Sequence, residues 1–178
     1  LQPDRFIDSM IRSGAGLPRA TSSPQTTALA VPVQPTRSSN IMAKRLSKRI
    51  KAFTLPSGWT CPGALDCLSK ADRETGKITD GDETTFRCFA ASSESQYKNT
   101  RAMVWRNFEA IKNVIHNAWR YKKDQVKEVA DLLESMLPKK FDIMRVHVGG
   151  DFFSQVYFDA WMEVARRRPE QHFYAYTK

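Results

Sequence analysis

Apolar and polar positions recur with two different periods along this chain, and the changes of period mark out its elements. A short apolar-leaning run over Ile50–Leu55 predicts a strand, stopped by the turn residues Pro56-Ser57-Gly58. Glu74-Thr75-Gly76-Lys77 predicts the turn of a hairpin, and Asp80-Gly81 a further turn. Ser93 and Gln96 have the spacing of a capping box. Beyond them Tyr97, Arg101, Val104, Phe108, Ile111, Ile115 and Ala118 recur at alternating steps of four and three, which is one face of a long helix. Val126, Val129, Ala130, Leu133 and Leu137 mark a second helix that Pro138 ends. Ile143–Val148 predicts a strand halted by Gly149-Gly150. Ser154 opens a third helix with an inner face of Tyr157, Ala160, Trp161, Val164 and Ala165, which Pro169 ends. His172–Thr177 is the last predicted strand.

Strand, helices, strand, helix, strand is the order of parallel βα units, so the predicted class is α/β. Right-handed crossovers then lay the helices over the sheet. Residues that follow the strands meet at one edge, where such folds build their sites.

This pattern begins near residue 42. Residues 1–41 are rich in Pro, Ser, Thr and Ala, hold five of the nine prolines, and show no sustained apolar period. Such a segment buries too little surface to offset its ordering entropy. Asp4, Asp8 and the prolines spoil the amphipathic helix of a transit peptide. The expectation is a disordered extension or upstream sequence over 1–41, with the domain starting at Met42-Ala43-Lys44. The stop at Lys178, after an aromatic run, reads as a longer protein cut short at its C-terminus.

With 178 residues there is room for one domain, and no 18-residue window is uninterruptedly apolar. Three cysteines cannot all pair, and no secretory segment is evident, so the expected setting is a reducing cytoplasm. The formal charge of +9 invites a nucleic-acid partner. Its densest run is Lys44, Arg45, Lys48, Arg49 and Lys51. This arm would bind phosphates without sequence preference and with steep salt dependence. Trp105, Arg106 and Trp119 are the residues that could stack on bases, although aromatics on a long helix are more often core.

Cys61, Cys67 and Cys88 follow the first strand with spacing C-x5-C-x20-C. Three thiolates can hold a [4Fe-4S] cluster and leave its fourth iron open. They could also contribute to a zinc site, which normally wants a fourth ligand that His116, His147 and His172 offer with no diagnostic spacing. The third reading is that small buried cysteines merely pack. For the cluster to form, the insertion Leu68–Arg87 must leave as a hairpin and return Cys88 beside Cys67. Gly149-Gly150-Asp151 lies between a strand and a helix. Glycines there would let a ligand approach the backbone, and Asp151 would attract an ammonium group. The plainer alternative is an aspartate satisfying backbone amides near a helix start.

The stretch Val146–Trp161, with Phe173–Lys178, resembles the bacteriophage "gene product 88" family, as do Thr60–Ala64 and Arg87–Ala90 around the cysteines. That resemblance covers Lys51 to Lys178 and implies a phage origin rather than a reaction, with the host cytoplasm as location. A second resemblance is to radical S-adenosylmethionine enzymes. It implies a partial (β/α) barrel, a cluster on Cys61, Cys67 and Cys88, and a cofactor whose amino group meets Gly149, Gly150 and Asp151. It also implies an external electron donor and a substrate that abstraction of hydrogen would activate. This chain departs from those enzymes in its wider cysteine spacing and in Asp where they have Glu.

Overall fold

The structure, a computed structural model, describes residues 49–82 and 84–178. The extension over 1–41, the boundary at Met42, and Lys44, Arg45 and Lys48 of the basic arm lie outside these residues. Three strands form the main sheet: β1 (Ile50–Phe53) pairs with β4 (Ile143–Val146), which pairs with β5 (His172–Ala175). Both pairings are parallel, with Ile50 opposite Ile143 and Ile143 opposite His172. Between β1 and β4 the chain forms a small antiparallel hairpin, β2 (Lys70–Ala71) and β3 (Ile78–Thr79). Three helices follow, α1 (Phe89–Gln96), α2 (Lys98–Arg120) and α3 (Gln125–Met136), and α4 (Gln155–Arg167) links β4 to β5. Parallel βα order is therefore present; among the described residues the sheet has three strands, with β1 and β5 at its edges, and no closed barrel is formed.

In β4, Met144 and Val146 are buried while Ile143 and Arg145 are half-buried, the alternation of a strand covered mainly on one face. That face meets the apolar stripes of the helices. Ile111 and Ile115 of α2, Val129 and Leu133 of α3, and Tyr157, Trp161 and Val164 of α4 join Phe53 and Met144 in one core. The Trp161 ring packs edge-on against Phe53 at 5.3 Å between centroids. Periodicity had marked these same faces. Ser154 accepts the amide of Tyr157 as N-cap of α4. Ser154→Ala should cost about 1 kcal/mol, read from the urea midpoint; an unchanged midpoint would make the cap superfluous.

Two local expectations change. Ser93 and Gln96 lie inside α1 and cap nothing; α2 begins only after Tyr97, whose extended backbone breaks the run and leaves its ring exposed. Arg101 supplies the cause. Its buried guanidinium donates to the carbonyls of Glu94 and Ser95, ending α1, and to those of Arg73 and Glu74 in the hairpin turn. Charge-assisted bonds to four carbonyls satisfy helix-end acceptors that would otherwise be buried without partners. The second change concerns Trp105. It is half-buried against the core, with its ring 5.6 Å from Trp59 and 6.0 Å from Phe108, so it contributes to packing.

Candidate functional site

The carboxyl ends of the three parallel strands lie side by side, and the loops leaving β1 and β4 are stitched together beyond the sheet. The His147 amide donates to Phe53 O (2.9 Å) and the Leu55 amide to Gly149 O (3.0 Å). The Thr54 hydroxyl donates to Gly149 O and accepts from Gly149 N, both at 3.0 Å. The Asp151 amide then donates to Thr60 O (3.1 Å). From the β5 side, the Lys178 amide donates to Asp151 Oδ2 (3.1 Å). One residue thus joins all three loops, its amide to the loop after β1 and its carboxylate to the chain after β5.

This stitching changes the role of the two glycines. A Cβ on Gly150 would stand 2.6 Å from Thr60 Oγ1 and 2.7 Å from Leu55 Cβ, and its φ is +81°. A Cβ on Gly149 would stand 2.8 Å from both Ala90 Cβ and Ser57 Oγ. A side chain at either position would collide with the loop after β1 or with Ala90. Asp151 is 5% exposed, and its second oxygen accepts the Phe152 amide (2.7 Å). It satisfies backbone amides, as the plainer alternative had it, although the cap of α4 is Ser154.

The cysteines occupy three short structures at this edge. Cys61 follows Thr60, and its sulfur accepts the Gly58 amide at 3.4 Å. Cys67 ends a 3-10 turn over Leu65–Cys67 and is buried. Cys88 is the N-cap residue of α1. The insertion does leave as a hairpin and return: the Cys88 amide donates to Ser69 Oγ (3.3 Å), two residues past Cys67. Ser69 Oγ donates in turn to Asp80 (2.8 Å), which Arg87 also pairs, so the hairpin's two feet are tied together. All three cysteines are free thiols. Burial pushes the Cys61 thiol up to about 11; the Gly58 amide opposes this, while the charges of Asp151, Cys88 and Cys67 add to it. A thiol so placed is protonated at neutral pH and a poor nucleophile until a cation offsets its charge. Lys178 brings one: its ammonium is raised by a hydrogen bond to the Cys67 sulfur and by the charges of Cys67, Cys88 and Cys61. Among the described residues, no three His, Cys, Asp or Glu side chains are gathered closely enough to hold a single metal ion.

Glu94 was not anticipated, and His147 was considered only as a possible zinc ligand without diagnostic spacing. His147 has a left-handed backbone (φ +69°), which ends β4 two residues before the predicted Val148. Its Nε2 lies 3.0 Å from the Tyr157 hydroxyl, and its ring meets Phe152 at 4.6 Å between centroids. Its Nδ1 is buried with no partner among the described residues. Glu94 is 2% exposed and accepts both the amide (2.9 Å) and the hydroxyl (2.6 Å) of Ser57. Burial raises its pKa, against the Ser57 bonds and the Arg101 charge. A positive φ at a histidine and a glutamate inside α1 leave no mark on apolar periodicity, so the sequence pattern gave neither residue its place here.

Burial lowers the His147 pKa from 6.5 to about 4, with Asp151 opposing. The unfolded chain therefore binds a proton near pH 6.5 that the folded chain refuses until about pH 4. Stability should fall as pH falls through that window, by about 3 kcal/mol from this group. His147→Asn, which suits a left-handed backbone, should flatten that slope in urea titrations. Superimposable slopes would place the pH dependence elsewhere.

The sequence model of the family described as Gene product 88 matches residues 22–178, most of the chain. This chain belongs to the Gene product 88 family. It is 30% identical over 128 residues to the "Gene 88 protein" of Mycobacterium phage L5, covering 70% of this chain and 46% of that protein. It is 27% identical over 128 residues to the "Gene 88 protein" of Mycobacterium phage D29, covering 70% of this chain and 45% of that protein. The chain thus spans a little under half the length of these phage relatives. No solved structure matches it. The phage family anticipated from the residues around Asp151 and the cysteines is the one found, and its match reaches upstream to residue 22. Among the described residues, no helix is long and apolar enough to cross a membrane.

Of the basic arm, Arg49 and Lys51 are described. Arg49, its side chain exposed, pairs with Asp142 (Nη2 to Oδ1, 2.8 Å). Lys51 sits half-buried within β1.

Proposed function

We propose that this Gene product 88 protein carries an iron–sulfur cluster on Cys61, Cys67 and Cys88. The observation that carries this reading is the return of Cys88 by the hairpin to the edge that already holds Cys61 and Cys67. Three free thiols are held from three separate backbone segments, and the Lys178 ammonium among them favours the thiolate form that ligation needs. A cluster bonds its thiolates to different irons, so its ligands stand farther apart than the donors of one ion. Structural zinc normally takes four ligands, whereas a cluster can be held by three thiolates, which favours the cluster over zinc at this edge of three thiols. Such a cluster would supply one-electron chemistry, with one iron left open to a small ligand. The protein's own part is to fix the thiols, through the Gly58 amide at Cys61 and the Ser69 hydroxyl at Cys88, and to screen them from water.

S-adenosylmethionine fits less well. Both Asp151 oxygens accept backbone amides, and the glycines face Leu55, Thr60 and Ser57 rather than an open approach. Anaerobic purification tests the cluster reading: a brown protein with about four iron and four sulfide per chain is expected. A colourless protein that takes up no iron on reconstitution would overturn it, and one zinc per chain would replace it with a zinc–thiolate site.

A further inference from the structure

The far end of α2 carries a second feature, separate from the thiol edge. A helix of this length spans roughly 34 Å, so its last turn lies far from the end that Arg101 ties to the hairpin. There the sequence reads Trp119-Arg120-Tyr121-Lys122-Lys123, two aromatics interleaved with three cations. All five are exposed, Trp119 by 56% and Tyr121 by 65%. Neither ring belongs to the core, whose last contributions from α2 are Ile115 and Ala118.

The helix end is shaped to keep them outside. The Lys122 amide donates to Trp119 O (3.3 Å) and the Lys123 amide to Ala118 O (2.8 Å), the paired bonds of a left-handed helix stop. Lys122 holds φ +54° at the position that glycine or asparagine usually fills. A cation there is accepted against a steric preference. The guanidinium of Arg120 lies 5.8 Å from the Tyr121 ring centre, and the Trp119 ring lies 6.2 Å from that of His116. Trp119, Arg120, Lys122, Lys123 and Gln125 line a concavity of about 560 Å³. Of the nearby acids, Asp124 caps α3 by accepting the Lys127 amide, and Glu128 lies 3.4 Å from Lys123. Arg120 and Lys122 keep the patch positive.

Cations in a last helical turn complement the helix dipole, which would explain Arg120 alone. It explains neither two exposed rings nor a lysine in a left-handed position. Flat rings beside cations match a polymer that carries stackable bases on a phosphate chain. We propose that the C-terminal end of α2 binds single-stranded nucleic acid, with bases stacking on Trp119 and Tyr121 and phosphates meeting Arg120, Lys122 and Lys123.

Fluorescence anisotropy of the full chain with a labelled oligothymidine, the duplex of equal length and polyglutamate tests this. The single strand should bind most tightly. Trp119→Ala and Tyr121→Ala should each weaken it about tenfold, with circular dichroism unchanged because both rings are exposed. Trp119→Phe should restore most of the affinity, and Lys122→Ala with Lys123→Ala should flatten the salt dependence. Equal affinity for the duplex, tighter binding of polyglutamate, or no binding at low salt would each overturn the proposal. So would single-strand binding that survives Trp119→Ala but is lost when Lys44, Arg45 and Lys48 become alanine.

Discussion

Gly150→Ala should destabilise the protein by roughly 4 kcal/mol, combining left-handed strain with overpacking, and lower the melting temperature by about 10 °C or more. The cause is local and doubled. The residue holds φ +81°, where a side chain is strained, and the added carbon would meet Thr60 Oγ1 at 2.6 Å and Leu55 O at 3.0 Å. Neither neighbour can retreat easily. Leu55 is fully buried, and Thr60 is held by its hydroxyl to Pro56 O at 2.9 Å. Gly149→Ala should cost less, because no positive φ adds to its contacts with Ala90 and Ser57. A Gly150→Ala protein that melts with the wild type would mean that the loops after β1 and β4 are not packed as described.

Replacing Cys61, Cys67 or Cys88 singly by alanine should reduce bound iron and visible absorption to background after anaerobic reconstitution. In the proposed cluster each thiolate would hold a different iron, so loss of one would expose a cluster corner to water and oxidant. His116→Ala, outside this edge, should retain full iron. The three variants should also separate in folding. Cys67→Ala opens a buried position, whereas Cys61 and Cys88 are half-buried and should melt close to the wild type in the absence of metal. If any one cysteine could be removed with iron content unchanged, that residue would be no ligand, and two thiols could not hold the site proposed.

Much of this was legible in the sequence, because apolar periodicity reports burial directly. The buried residues of α3 and α4 are ones that the spacing selects: Val129, Ala130 and Leu133, then Tyr157, Ala160, Trp161 and Val164. The parallel order of β1, β4 and β5 followed from helices standing between strands, and with it the single edge that receives the cysteines and Asp151. Gly76 and Asp80 likewise announced the hairpin that brings Cys88 back. Only the tertiary structure could decide the remainder. The break at Tyr97 depends on a guanidinium from the next helix reaching carbonyls of α1 and the hairpin, contacts that no local pattern encodes. Gly149-Gly150 looks the same in sequence whether the space beside it awaits a ligand or is filled by Leu55 and Thr60, residues about ninety positions away. Whether an aspartate receives a ligand or two backbone amides is settled by which chain ends lie beside it. Periodicity is a property of neighbours along the chain; the use of a polar group depends on neighbours in space.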